Sequence, residues 1–285
     1  MRLGVAGWPV AHSRSPAIQN AALHAAGLGG LAGPGGWRYQ LLPLPPAVFA
    51  ETVAALPACG FRGINVTIPH KERALAFALD AGGEVSARAR AIGAVNTLVF
   101  EAGGRSPAVR ADNTDAPAFA SALVAALGGP IAGLTALVLG AGGSARAAVW
   151  TLLDAGAAEV RVWNRNPARA RALCEAVGGG RAAVALTAEP ADVLVNCTPV
   201  GLHDGGPGEL AQLPLAAGEL AYRVVVDFVY RRGAPTALVQ AARRQGLPTI
   251  DGLELLIGQG ALSFEQFTGV GASVAAMRRA AGLTA

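Results

Sequence analysis

Short apolar runs alternate with longer amphipathic segments along the first part of the chain. The run RLGVAG at positions 2–7 is short and apolar enough for a buried strand, and the segment from Ser15 to about Ala26 has helical spacing. The strand-like segments WRYQLLP and FRGINVT then alternate with the helix-like segments PPAVFAETVAAL and PHKERALAFAL. This alternation predicts an α/β unit over roughly the first hundred residues, built on a covered, mostly parallel sheet.

A second series of alternating segments follows. The segments AVNTLVF and PAVRADN predict two paired strands around Gly103 and Gly104, and DAPAFASALVAALG predicts a helix. Strand-like and helix-like segments then repeat in the order LTALVLG, SARAAVWTLLDAG, EVRVWN, PARARALCEAV, DVLVNCT and RVVVDFV. The C-terminal segments LELLIGQGALSFEQF and VAAMRRAAG have a helical pattern. Since 285 residues fit two domains, the second series indicates a second α/β domain with a parallel sheet.

The composition excludes several classes of protein. The three cysteines, Cys59, Cys174 and Cys197, are too widely spaced for a disulfide framework or a metal site, which favours a reducing cytoplasm and no metal. The net charge of +4 is diffuse, without a basic cluster or interleaved aromatic residues, so we expect no nucleic-acid partner. Residues 116–145 carry no charge, but a Gly-Gly-Pro sequence interrupts them, so we expect no membrane span.

The cationic residues are unevenly divided between the two types. Lys71 is the only lysine among 23 cationic residues, and all the others are arginines. Arginine keeps its proton in proteins, whereas a lysine can be tuned to give one up, so Lys71 is a candidate acid or base. The alternative is a surface lysine with no chemical role. His12 and His70, by contrast, are predicted to be loop or helix-surface residues rather than general bases.

The strongest local motif is ALVLGAGGSARAA, in which a predicted strand runs into a glycine-rich turn and then a helix. This is the GxGxxA pattern in the context that dinucleotide binding requires. Gly140 permits the tight turn, Gly142 lets the backbone approach a pyrophosphate, and Ala145 allows close packing of the helix on the strand. The helix N-terminus presents N–H groups to phosphate, so the motif predicts a dinucleotide site. The alternative is an ordinary turn in a glycine-rich protein.

The end of the next strand indicates which dinucleotide is bound. The segment EVRVWN ends at Asn164, where NAD-preferring sites usually present an acidic residue to the ribose, and no acid stands there. Arg165, with Arg169 one turn further on, is suited to a 2′-phosphate, so we expect NADP rather than NAD. The alternative is an ordinary exposed arginine on an arginine-rich helix.

Polar residues follow several predicted strands of the first unit. They lie in the segments HSRSP (12–16), NVTIPHK (65–71) and NTD (113–115), and at Asn96 and Thr97. In open α/β sheets, ligands bind outside the carboxyl ends of the strands, so these groups are expected to converge on one crevice. Hydroxyl and amide groups suit a polyhydroxylated ligand.

Some of these residues also have a structural interpretation. Ser15 before Pro16 is typical of a helix N-cap followed by the first helical residue. Thr67 is suited to cap a helix opened by Pro69, and Asp115 is suited to cap the helix that follows it. A capping role and a ligand role are compatible, so both remain open for these residues.

The motifs together resemble a known family. Read in order, the segments GWPVAHSRSP, GINVTIPHK, IGAVNT, DNTDA, VLGAGGSARA, WNR, VNCTPVG, DFVYRRGAPT and DGLELLIGQGALSF resemble the shikimate dehydrogenases of aromatic biosynthesis across nearly the whole chain. The resemblance implies an α/β substrate domain at 1–114, completed by C-terminal helices at 252–285. It implies that this domain faces a Rossmann-type NADP-binding domain at 115–251 across a cleft. The implied reaction is reversible hydride transfer between NADPH and the C3 ketone of 3-dehydroshikimate.

The resemblance also implies roles for individual residues. Lys71 and Asp115 correspond to the catalytic pair, which agrees with an ammonium that protonates a developing oxyanion and a carboxylate that orients it. Without the resemblance, Tyr230 and Gln259 are ordinary structural residues. The implied substrate contacts are Ser13, Ser15, Thr67, Asn96, Tyr230 and Gln259, and the implied NADP contacts are Gly140, Ala141, Gly142, Gly143, Ser144, Ala145, Arg146, Asn164, Arg165 and Gly252.

Two rival functions remain open. A quinate/shikimate dehydrogenase that uses NAD or NADP would share this design, although the missing acid after the second Rossmann strand disfavours it. A dinucleotide-binding regulatory module without catalysis is the other rival, and it has no need of a Lys71–Asp115 pair. The expected partner is a small-molecule substrate, with the chain a monomer or homodimer. Asn166 stands where the family usually has Thr, which leaves one contact to the adenosine phosphate open.

Overall fold

The computed structural model describes residues 1–29, 36–101, 108–183, 190–202, 209–213, 215, 220–231 and 233–284. The chain forms two compact units, one comprising Met1–Thr114 and Leu256–Ala285 and the other Asp115–Leu255. The second boundary is predicted at 252, whereas in the structure it lies inside the helix Gly252–Thr268. The boundary comes later because Leu255, in the first turn of that helix, packs in the core of the second unit.

The first unit contains six strands and most of its helices in alternation. Its elements are β1 (Arg2–Gly7), α1 (Ser15–Ala25), β2 (Arg38–Pro43), α2 (Phe49–Ala55), β3 (Phe61–Val66), α3 (Lys71–Asp80), β4 (Glu84–Val85), α4 (Ala87–Ile92), β5 (Thr97–Glu101) and β6 (Ala108–Asp112). The last two helices, of which the first is shared with the second unit, are α9 (Gly252–Thr268) and α10 (Val274–Ala280). Short 3₁₀ turns precede and follow α2.

The sheet of the first unit is mostly parallel, as predicted, with one antiparallel strand. Its strand order is β2-β1-β3-β5-β6-β4, in which β1 pairs in parallel with β2 and β3, whereas β5 is antiparallel to β3 and β6. The predicted strand pair formed by AVNTLVF and PAVRADN is therefore confirmed, and its predicted connection around Gly103 and Gly104 lies outside the described residues. A short connection between consecutive strands imposes the antiparallel pairing, because a parallel pair needs a long crossover.

Both faces of this sheet are covered. Leu3 and Val5 of β1 face one side, where they pack with Phe264 of α9 and Met277 of α10. Ala6 faces the other side, in a separate core cluster with residues of α2 and α3. Burial on both faces explains why the strands have near-continuous apolar runs.

The second unit repeats the βα pattern over much of its length. Its elements are α5 (Asp115–Leu127), β7 (Thr135–Leu139), α6 (Gly143–Asp154), β8 (Glu159–Trp163), α7 (Pro167–Ala176), β9 (Arg181–Ala182), β10 (Val193–Asn196), β11 (Val224–Asp227), α8 (Ala237–Arg244) and β12 (Thr249–Ile250). The strand order is β12-β11-β10-β7-β8-β9, and every pairing is parallel.

This order places β7 at the point where the sheet topology reverses. The chain adds β8 and β9 on one side of β7, and β10, β11 and β12 on the other. Ligands of open parallel sheets bind at the carboxyl edge beside such a switch point. Among the described residues, no helix has the length and apolar character needed to cross a membrane.

Candidate active site

The two serines of the segment HSRSP share one tight turn after β1. Ser13 Oγ accepts a hydrogen bond from the Ser15 N–H and donates to Ser15 Oγ, both at 3.2 Å. The N-cap position of α1 belongs to Arg14, with no side-chain cap, so the prediction that Ser15 caps this helix is wrong. Arg14 instead donates to the carbonyl of Ala280 at 3.1 Å and ties the turn to α10. Both hydroxyls are therefore held at the carboxyl end of β1.

Asn96 is the centre of a buried hydrogen-bond network just before β5. Its Oδ1 accepts from the Thr114 N–H at 2.8 Å and from the Thr97 hydroxyl at 3.0 Å. Its Nδ2 donates to Thr114 Oγ1 at 3.0 Å and to Gln259 Oε1 at 3.4 Å. Asn96 thereby joins β5, the end of the 113–115 segment and α9. Two of the sequence-predicted substrate contacts, Asn96 and Gln259, are in hydrogen-bond contact.

A second layer of polar groups supports Asn96 from within the sheet. Asn65 Nδ2 donates to Thr97 Oγ1 at 3.2 Å and to the Asn96 carbonyl at 3.3 Å. Asn65 Oδ1 accepts from the Tyr39 hydroxyl at 2.9 Å and from the Ser263 hydroxyl at 3.3 Å. All of these side chains are buried. Because each amide is held by several partners, the orientation of Asn96 is fixed before any ligand binds.

Lys71 begins helix α3 at the carboxyl end of β3. Its side chain is mostly buried, with 9% of the residue exposed, and its carbonyl accepts from the Val95 N–H at 2.9 Å. The helix begins at Lys71 rather than at Pro69, and no side chain caps it, so the prediction that Thr67 caps this helix is wrong. The Thr67 carbonyl accepts from the His70 N–H instead, at 2.9 Å. One short turn therefore places Thr67 and Lys71 together.

His70 is a buried residue, which corrects the prediction that it lies on a loop or helix surface. It is 0% exposed, its ring stacks on Phe49 at a centroid distance of 4.5 Å, and its Nε2 lies 2.7 Å from the Leu44 carbonyl. Burial lowers the pKa of the imidazole, and the charge of Arg73 lowers it further against the hydrogen bond to Leu44. A neutral Nε2–H tautomer donates to that carbonyl, so His70 anchors the turn that precedes Lys71.

Asp112 collects four donors at the end of β6. Ser86 Oγ and the Asn113 N–H donate to its Oδ1 at 2.6 and 2.7 Å. Arg88 and Gln266 donate to its Oδ2 at 2.6 and 2.8 Å. Burial alone would raise the pKa of this carboxyl, but the hydrogen bonds and the Arg88 charge outweigh it and lower the pKa. The ionised carboxylate therefore links α4, β6 and α9 next to the 113–115 segment.

The glycine loop of the second unit joins β7 to α6, as its motif predicts. Gly140 has a φ of 111°, and a Cβ there would lie 2.9 Å from the Cys197 carbonyl oxygen, so only glycine fits. A Cβ on Gly142 would meet no atom within 4 Å, so this position faces open space. Ala145 is fully buried in the core of the unit. These three positions match the requirements of a tight turn, a close ligand approach and tight helix packing.

The start of α6 also fits a phosphate group. Gly142 occupies the N-cap position and supplies no side-chain cap to the helix. The first N–H groups of a helix point out of its end and favour an anion. The glycine loop therefore fits the pyrophosphate of a dinucleotide, with residues 140–146 as its candidate contacts.

Residues after β8 lie beside this loop. The Gly140 N–H donates to the Trp163 carbonyl at 2.7 Å, so the end of β8 is held against the glycine turn. Arg165 is exposed there. Asn164 Nδ2 donates to the Asn166 carbonyl at 3.0 Å, and Asn166 Oδ1 caps α7 by accepting from the Ala168 N–H at 3.0 Å. The Asn that replaces the usual Thr thus has a capping role of its own.

Tyr230 and Gly252 lie on neighbouring segments at the β11 side of the sheet. A Cβ on Gly252 would lie 2.7 Å from the carbonyl oxygens of Phe228 and Val229, so the start of α9 packs directly on the backbone before Tyr230. Tyr230 is half-buried. Asp115 begins α5 and is half-buried as well.

Sequence reasoning missed several polar residues behind the site. Tyr39, Ser263 and Asp112 support the first unit, and their roles depend on contacts between distant segments that no local motif reveals. Asp227 in the second unit had a usable signal, because it is a charged residue that ends the otherwise apolar strand VVVD. In the described ranges, no group of three or more His, Cys, Asp or Glu side chains is arranged to hold a metal ion.

A parallel sheet with a dinucleotide-type glycine loop, and a separate unit that carries a buried lysine and buried hydroxyl and amide groups at its strand ends, define a two-unit α/β oxidoreductase. Family models match three stretches of the chain: the shikimate dehydrogenase substrate binding domain at residues 5–98, shikimate / quinate 5-dehydrogenase at 122–199, and the shikimate 5′-dehydrogenase C-terminal domain at 252–281. The chain belongs to the shikimate dehydrogenase family.

Individual relatives agree with this placement over nearly the whole length. The shikimate dehydrogenase (NADP(+)) of Methylobacterium radiotolerans is 45% identical over 278 residues, which cover 94% of this chain and 91% of the relative. That of Rubrobacter xylanophilus is 42% identical, covering 98% and 94%. The crystal structure of shikimate 5-dehydrogenase from Thermus thermophilus in complex with NADP(H) and shikimate is 39% identical, with a TM-score of 0.79 and coverage of 99% and 98%.

Proposed function

We propose that the chain catalyses the reversible, NADP-dependent interconversion of shikimate and 3-dehydroshikimate. The observation that carries this proposal is the position of the only lysine, Lys71, which begins α3 one short turn after Thr67 and is hydrogen-bonded through its backbone to the segment before Asn96. The relatives named above, which match nearly the whole length of the chain, are named for shikimate or solved with it.

The chemistry requires a proton donor at the reacting oxygen. NADPH, when bound, supplies the hydride that reduces the ketone carbon. Negative charge then develops on the oxygen, and the Lys71 ammonium stabilises it and donates a proton. In the direction of oxidation, neutral Lys71 accepts the hydroxyl proton. Asp115 is assigned the role of stabilising and orienting the ammonium.

The first unit supplies groups suited to a polyhydroxylated ring. Ser13 and Ser15 present two hydroxyls 3.2 Å apart, and Asn96 and Gln259 present two amides 3.4 Å apart. Hydroxyls and amides both donate and accept, so they can bind alcohols in a fixed orientation. Thr67 and Tyr230 are assigned as further substrate contacts.

The second unit supplies groups suited to NADP. Residues 140–146 bind the pyrophosphate, Arg165 pairs with the 2′-phosphate, and Asn164 and Gly252 are the remaining assigned contacts. The three cysteines are free thiols, which supports a reducing compartment and hence the cytoplasm as the location. The chain is assigned as a monomer or homodimer.

The test is a matrix of four substrate pairs. NADPH or NADH formation is followed with shikimate or quinate and with NADP or NAD. We expect turnover with shikimate and NADP, and values of kcat/KM that are far lower for the other three pairs. Comparable rates with quinate or NAD would instead indicate a dual-specificity quinate/shikimate dehydrogenase. The absence of turnover with every pair, although NADP binds, would indicate a regulatory binding module.

A further inference from the structure

Asp227 is a buried carboxylate at the carboxyl end of β11. It is 0% exposed. Its Oδ1 accepts from the Val229 N–H and from Asn196 Nδ2, both at 2.9 Å. Its Oδ2 accepts from the Thr236 hydroxyl at 2.6 Å. These donors are neutral, so the hydrogen bonds of Asp227 link the ends of two strands to the start of α8 without a direct cationic partner among the described residues.

The partners of Asp227 hold two loops at the carboxyl edge of the sheet. Asn196 Oδ1 accepts from the N–H and hydroxyl of Thr198, at 3.0 and 2.7 Å, and its Nδ2 also donates to the Val200 carbonyl at 3.3 Å. The loop after β10 thus depends on the amide that Asp227 orients. The loop after β11 depends on Asp227 directly, through the Val229 N–H. Tyr230 is the next residue.

Two charged groups of the described residues lie near this carboxylate. Glu209 is 3% exposed, and its charge opposes ionisation of Asp227. Arg231 is ion-paired to Glu209 at 2.8 Å, and Glu209 also accepts from the Ala237 N–H at the start of α8. A negative charge on Asp227 is therefore surrounded by hydrogen-bond donors, and the nearby positive charge of Arg231 is ion-paired with Glu209.

Burying a charge without an adjacent cation is costly, so its presence calls for a role beyond stability. Burial raises the pKa of Asp227 to about 7, against the hydrogen bonds from Thr236, Val229 and Asn196, and Glu209 raises it further. Both protonation states of this side chain are therefore populated near neutral pH. An ionised acceptor binds an N–H more strongly than a neutral one.

We propose that Asp227 is a positioning residue that sets the segment carrying Tyr230 through the Val229 N–H, and that its ionised form holds this segment more tightly than its protonated form. The inference rests on the proposed function in one respect, namely that Tyr230 contacts the substrate. Asp227 itself is not assigned a contact with substrate or cofactor.

The main variant is Asp227→Asn, which keeps the shape and mimics the neutral acid. Its matched control is Asp192→Asn, because Asp192 precedes β10 at the opposite edge of the same sheet and accepts from the N–H and hydroxyl of Thr135. Asp227→Asn should raise the KM for shikimate roughly fivefold above neutral pH, where the wild-type carboxylate is ionised, and leave kcat nearly unchanged. Asp192→Asn should leave KM unchanged. In a Tyr230→Phe background, the effect of Asp227→Asn on KM should be smaller, because the effects of substitutions at coupled residues do not add.

A second readout does not depend on activity. The chain has three tyrosines, so ¹⁹F NMR of protein labelled with 3-fluorotyrosine gives three resonances, and Tyr230→Phe assigns one of them. In the wild type, the Tyr230 resonance should shift with pH around a midpoint of about 7, and in Asp227→Asn this shift should disappear. Asp192→Asn should retain it.

The outcomes separate this inference from the proposed function. Additive effects of Asp227→Asn and Tyr230→Phe on KM, or a Tyr230 shift that persists in Asp227→Asn, would overturn the inference while shikimate turnover stands. A wild-type resonance that does not move near neutral pH would overturn it as well. If the wild type fails to turn over shikimate, the proposed function is wrong, and the resonance alone then decides whether Asp227 positions the Tyr230 segment.

Discussion

The two units build their candidate sites from different parts of the chain. In the first unit the site is made of side chains: the amides of Asn96 and Gln259 and the hydroxyls around them, hydrogen-bonded to one another in buried layers. In the second unit it is made chiefly of backbone, at the glycine turn and the start of α6, where Gly140 and Gly142 carry no side chain at all.

The difference matches what each site has to recognise. A ring with several hydroxyls is distinguished from similar rings by the direction of each hydrogen bond, which requires oriented side chains. A pyrophosphate is recognised by charge and shape, which a helix N-terminus and a close backbone supply without specific side chains. Substitutions should therefore act on catalysis and substrate binding in the first unit, and on cofactor binding in the second.

The largest effect is expected at Lys71, the one titratable cation of the side-chain-built site. Lys71→Ala removes the proposed proton donor and should lower kcat about 10²–10⁴-fold with little change in the KM for shikimate, measured by steady-state NADPH formation. Lys71→Arg is the control that keeps the charge but cannot transfer the proton. Near-normal turnover of Lys71→Arg would show that charge alone suffices.

Arg165 tests the exception in the backbone-built site, since it is the side chain that we propose to select between the cofactors. Arg165→Ala should raise the KM for NADP roughly 10–100-fold, the range for a lost hydrogen bond to a charged group, and leave the KM for NAD nearly unchanged. Arg171→Ala is the matched control and should change neither, because Arg171 is an exposed arginine on helix α7, which begins just after Arg165. Equal losses with both cofactors would contradict a 2′-phosphate contact.

Gly140 and Gly142 allow an effect on folding to be separated from an effect on cofactor binding. Gly142→Ala places a methyl group in open space, so the urea midpoint should stay unchanged while NADP affinity falls about tenfold through overpacking against the ligand. Gly140→Ala forces a positive φ on an L-residue and should lower the free energy of unfolding by about 1–3 kcal/mol. If Gly142→Ala bound NADP normally, the pyrophosphate would not lie against this position.

The smallest effect is expected at Asp112, which supports the side-chain-built site without belonging to it. The pKa of the Asp112 carboxyl is lowered in the folded state, so the ionised form stabilises the fold at pH values above the ordinary pKa of 3.8. This contribution to stability is lost as the pH falls below that value. Asp112→Asn should therefore lower the free energy of unfolding by about 1 kcal/mol at neutral pH, measured by urea denaturation. The difference in the free energy of unfolding between Asp112→Asn and the wild type should disappear below about pH 4. A difference that is the same at every pH would mean that the charge has no part in it.

Much of the fold could be predicted from the sequence because its signals are local. Apolar runs and glycine turns predicted the β7–α6 and β8–α7 units. The alternation of strand-like and helix-like segments predicted that the second sheet is parallel. The antiparallel β5 interrupts the first sheet because the chain connects it directly to β6. The short strands β4, β9 and β12 have two residues each and leave no periodic signal.

The candidate site was predictable where a motif specifies the local geometry and not where distant segments meet. The glycine loop has a fixed spacing, so its residues could be named in advance. The capping roles of Ser15 and Thr67 were predicted wrongly because the helices begin at different residues from those that the N-cap pattern indicates. The burial of His70 against Phe49, and the contact of Ser263 with Asn65, depend on tertiary packing that residue spacing does not encode.

The discontinuity of the first unit has a consequence for the order in which the protein matures on the ribosome. Phe264 and Met277 are fully buried in the same core cluster as Leu3 and Val5, so β1 lacks part of its cover until residues 256–285 have been synthesised. The second unit is contiguous, and all of its residues are synthesised before residues 256–285. One face of the sheet in the first unit is therefore incomplete until helices α9 and α10 have been synthesised. The unit whose translation begins first is the one that is completed last.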